Sequence, residues 1–133
     1  MKTVFLSGPM RGVPREEARG WREKAAKLLE KKFVTKHAYR GREEKETFQD
    51  YRLAVVRDKY DITHSDILLV NDSFPNASMV GTSMEVLLAF QNNIPVIIFG
   101  EGHPKDYFLN YHSHVRCKGL EEACKLINDM FYD

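Results

Sequence analysis

Ser65-Asp66-Ile67-Leu68-Leu69-Val70 is the stretch on which the fold turns. Successive side chains of an extended chain point to opposite sides, so four apolar residues in a row are apolar on both faces. A strand of that kind belongs in a parallel sheet with helices above and below it. Reading outward, Val4-Phe5-Leu6 is a second such run, stopped by Ser7-Gly8-Pro9, and Pro95 to Phe99 is a third, ended by Gly100. Phe33 to His37 is a weaker β-like run. Between these runs lie helical patterns. Pro14 to Lys32 places Ala18, Trp21, Ala25 and Leu28 at helical spacing with charges between them. Tyr51 to Ser65 carries Leu53, Val56 and Tyr60 on one stripe, and Gly81-Thr82 opens a helix running through Asn92. Leu120 to Phe131 closes the chain as a helix, with Ala123, Cys124, Ile127 and Phe131 in register. The charged stretch from Tyr39 to Gln49 reads as a solvated loop, and residues 101 to 112, without any period, as a second loop. Alternation of this kind predicts an α/β fold: one doubly wound (Rossmann or flavodoxin-like), mostly parallel five-stranded sheet with helices on both faces.

Composition sets the outer bounds on function. A chain of 133 residues holds one domain, and 43% hydrophobic with 29% charged residues is an ordinary globular mixture. Lys plus Arg (20) nearly cancels Asp plus Glu (19), so no global field draws in a nucleic-acid polymer, and a small molecule is the expected partner. Cys117 and Cys124 match neither a redox CxxC nor a zinc pair, which suits a reducing, cytoplasmic setting. The apolar stretch Thr3 to Leu6 is too short for a signal segment, and no apolar run reaches the 18 or so residues a membrane span needs. His112, His114 and Cys117 have no fourth ligand at a motif-like spacing, so neither a metal nor another cofactor is expected.

Doubly wound sheets bind ligands beyond the carboxyl ends of their strands, near the point where strand order reverses. The loops to inspect are therefore 7 to 13, 71 to 81 and 100 to 113. The first contains Ser7-Gly8-Pro9-Met10-Arg11-Gly12, directly after a strand and just before a helix. Glycines there allow close approach of a ligand to the backbone, and Arg11 is a cation able to fork onto a phosphate; the same residues also make an ordinary turn. It is neither a P-loop nor a GxGxxG fingerprint. The second contains Gly81-Thr82-Ser83-Met84-Glu85 at a helix start. Thr82 to Glu85 has the spacing of a capping box, in which the acid folds back onto its own backbone. Alternatively the acid faces the cleft, where it meets charge developing on a sugar. Asp58 and Asp61 lie three apart on one helix, Asp66 reads as a turn or cap residue, and Asp72 lies beyond the strand.

Taken together, Val4 to Gly12, Arg57-Asp58 with Ser65 to Val70, and Gly81 to Glu85 resemble the nucleoside 2-deoxyribosyltransferase family in order and spacing over most of the chain. The resemblance implies that Glu85 attacks the anomeric carbon and forms a covalent glycosyl-enzyme, which a second base or water resolves. It implies that Asp58 hydrogen-bonds the leaving nucleobase and supplies its proton. Ser7, Gly8, Pro9, Met10, Arg11, Gly12, Ser78 and Gly81 would contact the substrate, without a cofactor. The segment Leu109 to Ser113 resembles one that reaches into a neighbouring subunit, so Asn110 is expected to complete the site of a homodimer or larger homo-oligomer. The Arg11-Gly12 ending is closer to the family's 5′-monophosphate N-glycosidase branch, which is hydrolytic. Phe5 stands where the transferases carry a tyrosine, and Met79, beside Ser78, where an aspartate or serine is expected. These two departures motivate a third reading, a nucleotide-binding or sensing module without turnover.

Overall fold

The computed structural model describes residues 1–39 and 50–131. Strand and helix alternate along it: β1 (Lys2–Ser7), α1 (Arg15–Leu29), β2 (Phe33–His37), α2 (Tyr51–Thr63), β3 (Ile67–Asn71), α3 (Val80–Gln91), β4 (Val96–Phe99), α4 (Tyr107–Tyr111), β5 (Val115–Cys117) and α5 (Leu120–Met130). The five strands form one sheet in the order β2-β1-β3-β4-β5, and every neighbouring pair is parallel. The expected doubly wound α/β fold is therefore the observed one, in its flavodoxin-like order.

The apolar runs sort by parity into two cores. Val4, Leu6, Ile67, Leu69, Ile97 and Phe99 face Ala25 and Leu29 of α1 and Ala123, Cys124 and Ile127 of α5. Phe5, Leu68, Val70, Val96 and Ile98 face Ile62 of α2, Val86 and Ala89 of α3, and Leu109 of α4. Residues 67 to 70 are all fully buried, which is why that stretch shows no alternation in the sequence.

Three local readings change. Residues 101 to 112 are not loop throughout: Asp106 caps the five-residue α4 by accepting the Leu109 amide at 2.9 Å. A helix that short cannot display a period. The fifth strand, β5, is only Val115-Arg116-Cys117, paired through Ile97 with Val115, and it carries no apolar run to mark it. On α2 the stripe of Leu53, Val56 and Tyr60 points outward, 66%, 65% and 58% exposed, while the helix buries Asp61 and Ile62. Of the charged stretch, Tyr39 is buried and residues 40–49 lie outside the described residues. No described helix is long and apolar enough to cross a membrane.

Candidate active site

Strand order reverses between β1 and β3, and a cavity of about 350 Å³ opens at their carboxyl ends. Ser7, Gly8, Pro9, Met10 and Arg11 form one wall, Ser78, Gly81 and Glu85 another, and Asp58 of α2 a third. Of the residues singled out from the sequence, these nine come together here. Gly12 and Asn110 do not line it.

The first loop is shaped by two glycines. A Cβ on Gly8 would stand 3.0 Å from Trp21 Cζ2 and 3.2 Å from Asn71 Cβ, so a larger residue would push the turn off β3 and α1. Gly12 has φ +84°, a left-handed conformation that L side chains rarely adopt, and a Cβ there would stand 3.4 Å from Ala77 Cα. Gly12 therefore turns the chain rather than touching the cavity. Met10 packs with Val13, Tyr39, Phe74 and Ala77, which braces this loop on the one after β3 and leaves Arg11 exposed at the cavity.

Glu85 does not form a capping box. Helix α3 begins at Val80 after Met79, whose side chain makes no capping bond, and Thr82 is already inside the first turn and buried. The Glu85 carboxyl instead crosses to β1, where Oε1 accepts the Ser7 hydroxyl at 2.7 Å. Burial drives its pKa from the usual 4.5 up to about 7; the Ser7 hydrogen bond opposes that rise, the negative charge of Asp58 adds to it, and Arg22 opposes it. Asp58 is 18% exposed, with Arg57 Nη2 at 3.8 Å, and Arg57 also donates to the Ala38 carbonyl at 3.0 Å. One cleft thus holds two coupled carboxyl groups, one of them poised near neutrality.

Sequence reasoning overlooked one charged residue and gave another no role. Arg22, 1% exposed, lines the cavity from α1; its signal was a charge on the buried stripe, four residues after Ala18 and three before Ala25. Burial lowers its pKa to about 10, against the charges of Tyr39, Glu85 and Asp58. Asp72, fully buried just past β3, accepts from His103 Nδ1 at 2.6 Å, the His103 amide at 3.1 Å and Arg116 Nη2 at 2.7 Å. This knot ties together the chain after β3, after β4 and within β5. Asn110 belongs to it: its amide donates to the Pro104 carbonyl at 3.0 Å, and its oxygen accepts from Arg116 Nη1 at 2.7 Å.

The remaining polar residues have structural partners. Asp66 accepts the Thr3 amide at 2.8 Å, and Asp61, 2% exposed, lies 3.9 Å from Lys36 Nζ. His112 Nδ1 meets the Phe108 carbonyl, His114 Nδ1 accepts the Val96 amide, and Cys117 packs in the core. Among the described residues no three His, Cys, Asp or Glu side chains gather to hold a metal ion.

No protein-family model matches the sequence, and no curated protein is similar to it at the level of sequence. Solved structures are similar along the whole chain. A 2-deoxyribosyltransferase from Bacillus psychrosaccharolyticus superposes with a TM-score of 0.72 at 16% identity, over 98% of this chain and 92% of that one. A conserved protein from Enterococcus faecalis V583 gives 0.69 at 15%, over 98% and 99%. A CMP N-glycosidase from Clostridium botulinum gives 0.67 at 18%, over 98% and 100%. The chain has the fold of these proteins. At such identities the likeness is one of fold, and chemistry has to be argued from the cavity.

Proposed function

We propose that this chain belongs with the nucleoside 2-deoxyribosyltransferases and cleaves the N-glycosidic bond of a nucleoside or nucleotide, with Glu85 as nucleophile. The observation that carries the reading is the path of the Glu85 side chain, which leaves its own helix end uncapped to meet Ser7 inside the cavity. Two of the structures sharing the fold are enzymes whose names describe deoxyribosyl transfer and CMP N-glycoside cleavage.

In the reaction the ionised Glu85 carboxylate attacks C1′ as the C1′–N bond breaks, and the bonding pair leaves with the nucleobase. Asp58 hydrogen-bonds that base and supplies the proton it needs. The glycosyl ester on Glu85 is then opened at C1′ by a second base, giving transfer, or by water, giving hydrolysis. Since Glu85 must be ionised to attack, cleavage rises with pH through about 7.

A 5′-monophosphate substrate is favoured by one feature in particular. Arg11 and the uncapped first turn of α3, with Ser78 and Gly81 beside it, border the same cavity, and amides at a helix start together with a guanidinium suit a phosphate. A second copy of the chain, with the Asn110 segment reaching its neighbour's cavity, accounts for the exposed Leu53, Val56 and Tyr60 of α2 and Val80 and Met84 of α3.

The test is a chromatographic survey of nucleosides and their 5′-monophosphates, with and without added adenine or cytosine. Free or exchanged base is expected from the wild type and none from Glu85→Gln, while Arg11→Ala weakens binding only of phosphorylated substrates. Ligand-induced thermal stabilisation without product from any substrate would instead favour a sensing module. Sedimentation of the wild type as a monomer would remove the second copy.

A further inference from the structure

Arg22 has no part in the reaction written above, yet it is among the largest fully buried side chains of the molecule. Burying a guanidinium costs several kcal/mol unless its donors are met. Here Nη1 donates to the Ala18 carbonyl at 2.6 Å and Nη2 to the Gly8 carbonyl at 3.0 Å, while Nε has no hydrogen-bond partner among the described residues. A leucine or methionine would fill this place on the α1 stripe without that penalty, so packing alone does not account for the residue. What an apolar side chain cannot do is hold the Gly8 carbonyl and carry charge.

Both properties bear on Glu85. Gly8 follows Ser7, the residue that grips the Glu85 carboxyl, and the guanidinium borders the same cavity as Glu85 and Asp58. The guanidinium lies between two aromatic rings, its Cζ 4.6 Å from the Trp21 ring centroid and 5.4 Å from that of Tyr39. We propose that Arg22 is a positioning residue, clamping the Ser7-Gly8 turn so that Ser7 meets Glu85 and supplying the buried positive charge against which Glu85 and Asp58 are balanced. The inference rests on Glu85 being the working carboxylate. The charged groups facing Glu85 are Arg22 from α1 and Asp58 from α2, and Arg22 in turn faces Tyr39, beyond β2, as well as the two carboxyls.

The experiment reads the site without turnover, so it separates this inference from the proposed reaction. Glutamate side-chain carboxyls are labelled with ¹³C, Glu85 is assigned by its loss in Glu85→Gln, and its titration is followed in wild type, Arg22→Met and Arg22→Lys. Removing the charge should move the Glu85 midpoint up by about 0.5 unit or more, and lysine should return it towards the wild-type value. In the wild type the Arg22 guanidinium ¹⁵N signals should move with the Glu85 midpoint and stay still in Glu85→Gln, a measurement that needs no folded Arg22 variant. An unmoved Glu85 midpoint in folded Arg22→Met, or Arg22 signals indifferent to Glu85, overturns the proposal. A chain that titrates as described but releases no base would sink the reaction and leave only the electrostatic pairing of Arg22 with Glu85.

Discussion

Replacing Glu85 by Gln should make the folded chain more stable, and the gain should depend on pH. The folded carboxyl holds its proton up to about pH 7, whereas an unfolded chain releases it near 4.5. Between those values the folded state binds the extra proton, so stability falls as pH rises through the window, and the whole loss is present above 7. At about 1.4 kcal/mol per pH unit, the ceiling is roughly 3 kcal/mol. Glutamine avoids the charge and its Oε1 still accepts the Ser7 hydroxyl, but its two amide hydrogens need partners in a partly buried place. Allowing for that, the net gain at pH 8 is about 2 kcal/mol, or roughly 6–8 °C in Tm for a chain of this size. At pH 4 the carboxyl is mostly protonated in both states, so only the cost of the amide hydrogens remains and the variant should be about 1 kcal/mol less stable than the wild type. Urea and thermal unfolding of both proteins at pH 4 and pH 8 measure it. A variant no more stable than wild type at pH 8, or one with the same gain at both values, would refute the claim that the Glu85 charge is held at a cost.

Two helical glycines offer a matched pair. A Cβ would meet nothing within 4 Å at Gly20 or Gly81, but only Gly81 borders the cavity. Alanine should therefore raise stability at both, by about 0.5–1 kcal/mol in mid-helix at Gly20 and less in the first turn at Gly81. Only Gly81→Ala should weaken substrate binding in a thermal-shift titration; equal effects on binding would show that the space at Gly81 is not ligand space. Asp72→Asn should cost about 3 kcal/mol in urea unfolding, since Arg116 and His103 lose the buried charge that pairs them. A loss under 1 kcal/mol would mean that the knot past β3 is not what fastens these loops.

How far the sequence could be read follows from which physical signals act locally. β1, β3 and β4 announce themselves because a strand buried on both faces must be apolar at every position, and Ile67 to Val70 are. β5 is hidden, because three residues at a sheet edge need bury only Cys117. Helix α2 misleads for the opposite reason: Leu53, Val56 and Tyr60 are apolar at helical spacing yet exposed, and the residues it buries include a charge, Asp61. At the site, Gly8 and Gly12 were legible as turn residues, whereas the choice facing Glu85 was not. Capping and cleft-facing geometries share one spacing, and only the start of α3 at Val80, two residues ahead of Thr82, separates them. Arg22 escaped, and Asp72 was left without a role, because their partners, the Gly8 carbonyl and the pair of His103 and Arg116, lie 14, 31 and 44 residues away.

The departures from what stability alone would select are concentrated around the cavity. Glu85 is pushed to about 7 by burial, and Arg22 is buried with one donor unmet. Each is unfavourable to folding by its own mechanism: charge desolvation and an unsatisfied donor. Away from this cavity, buried polar groups such as Asp72 and Ser65 are hydrogen-bonded in the ordinary way. A fold retains local conflicts where something other than stability holds them in place. Two unrelated conflicts meeting around one 350 Å³ space, at the point where the strand order reverses, make a stronger argument for chemistry there than either residue alone.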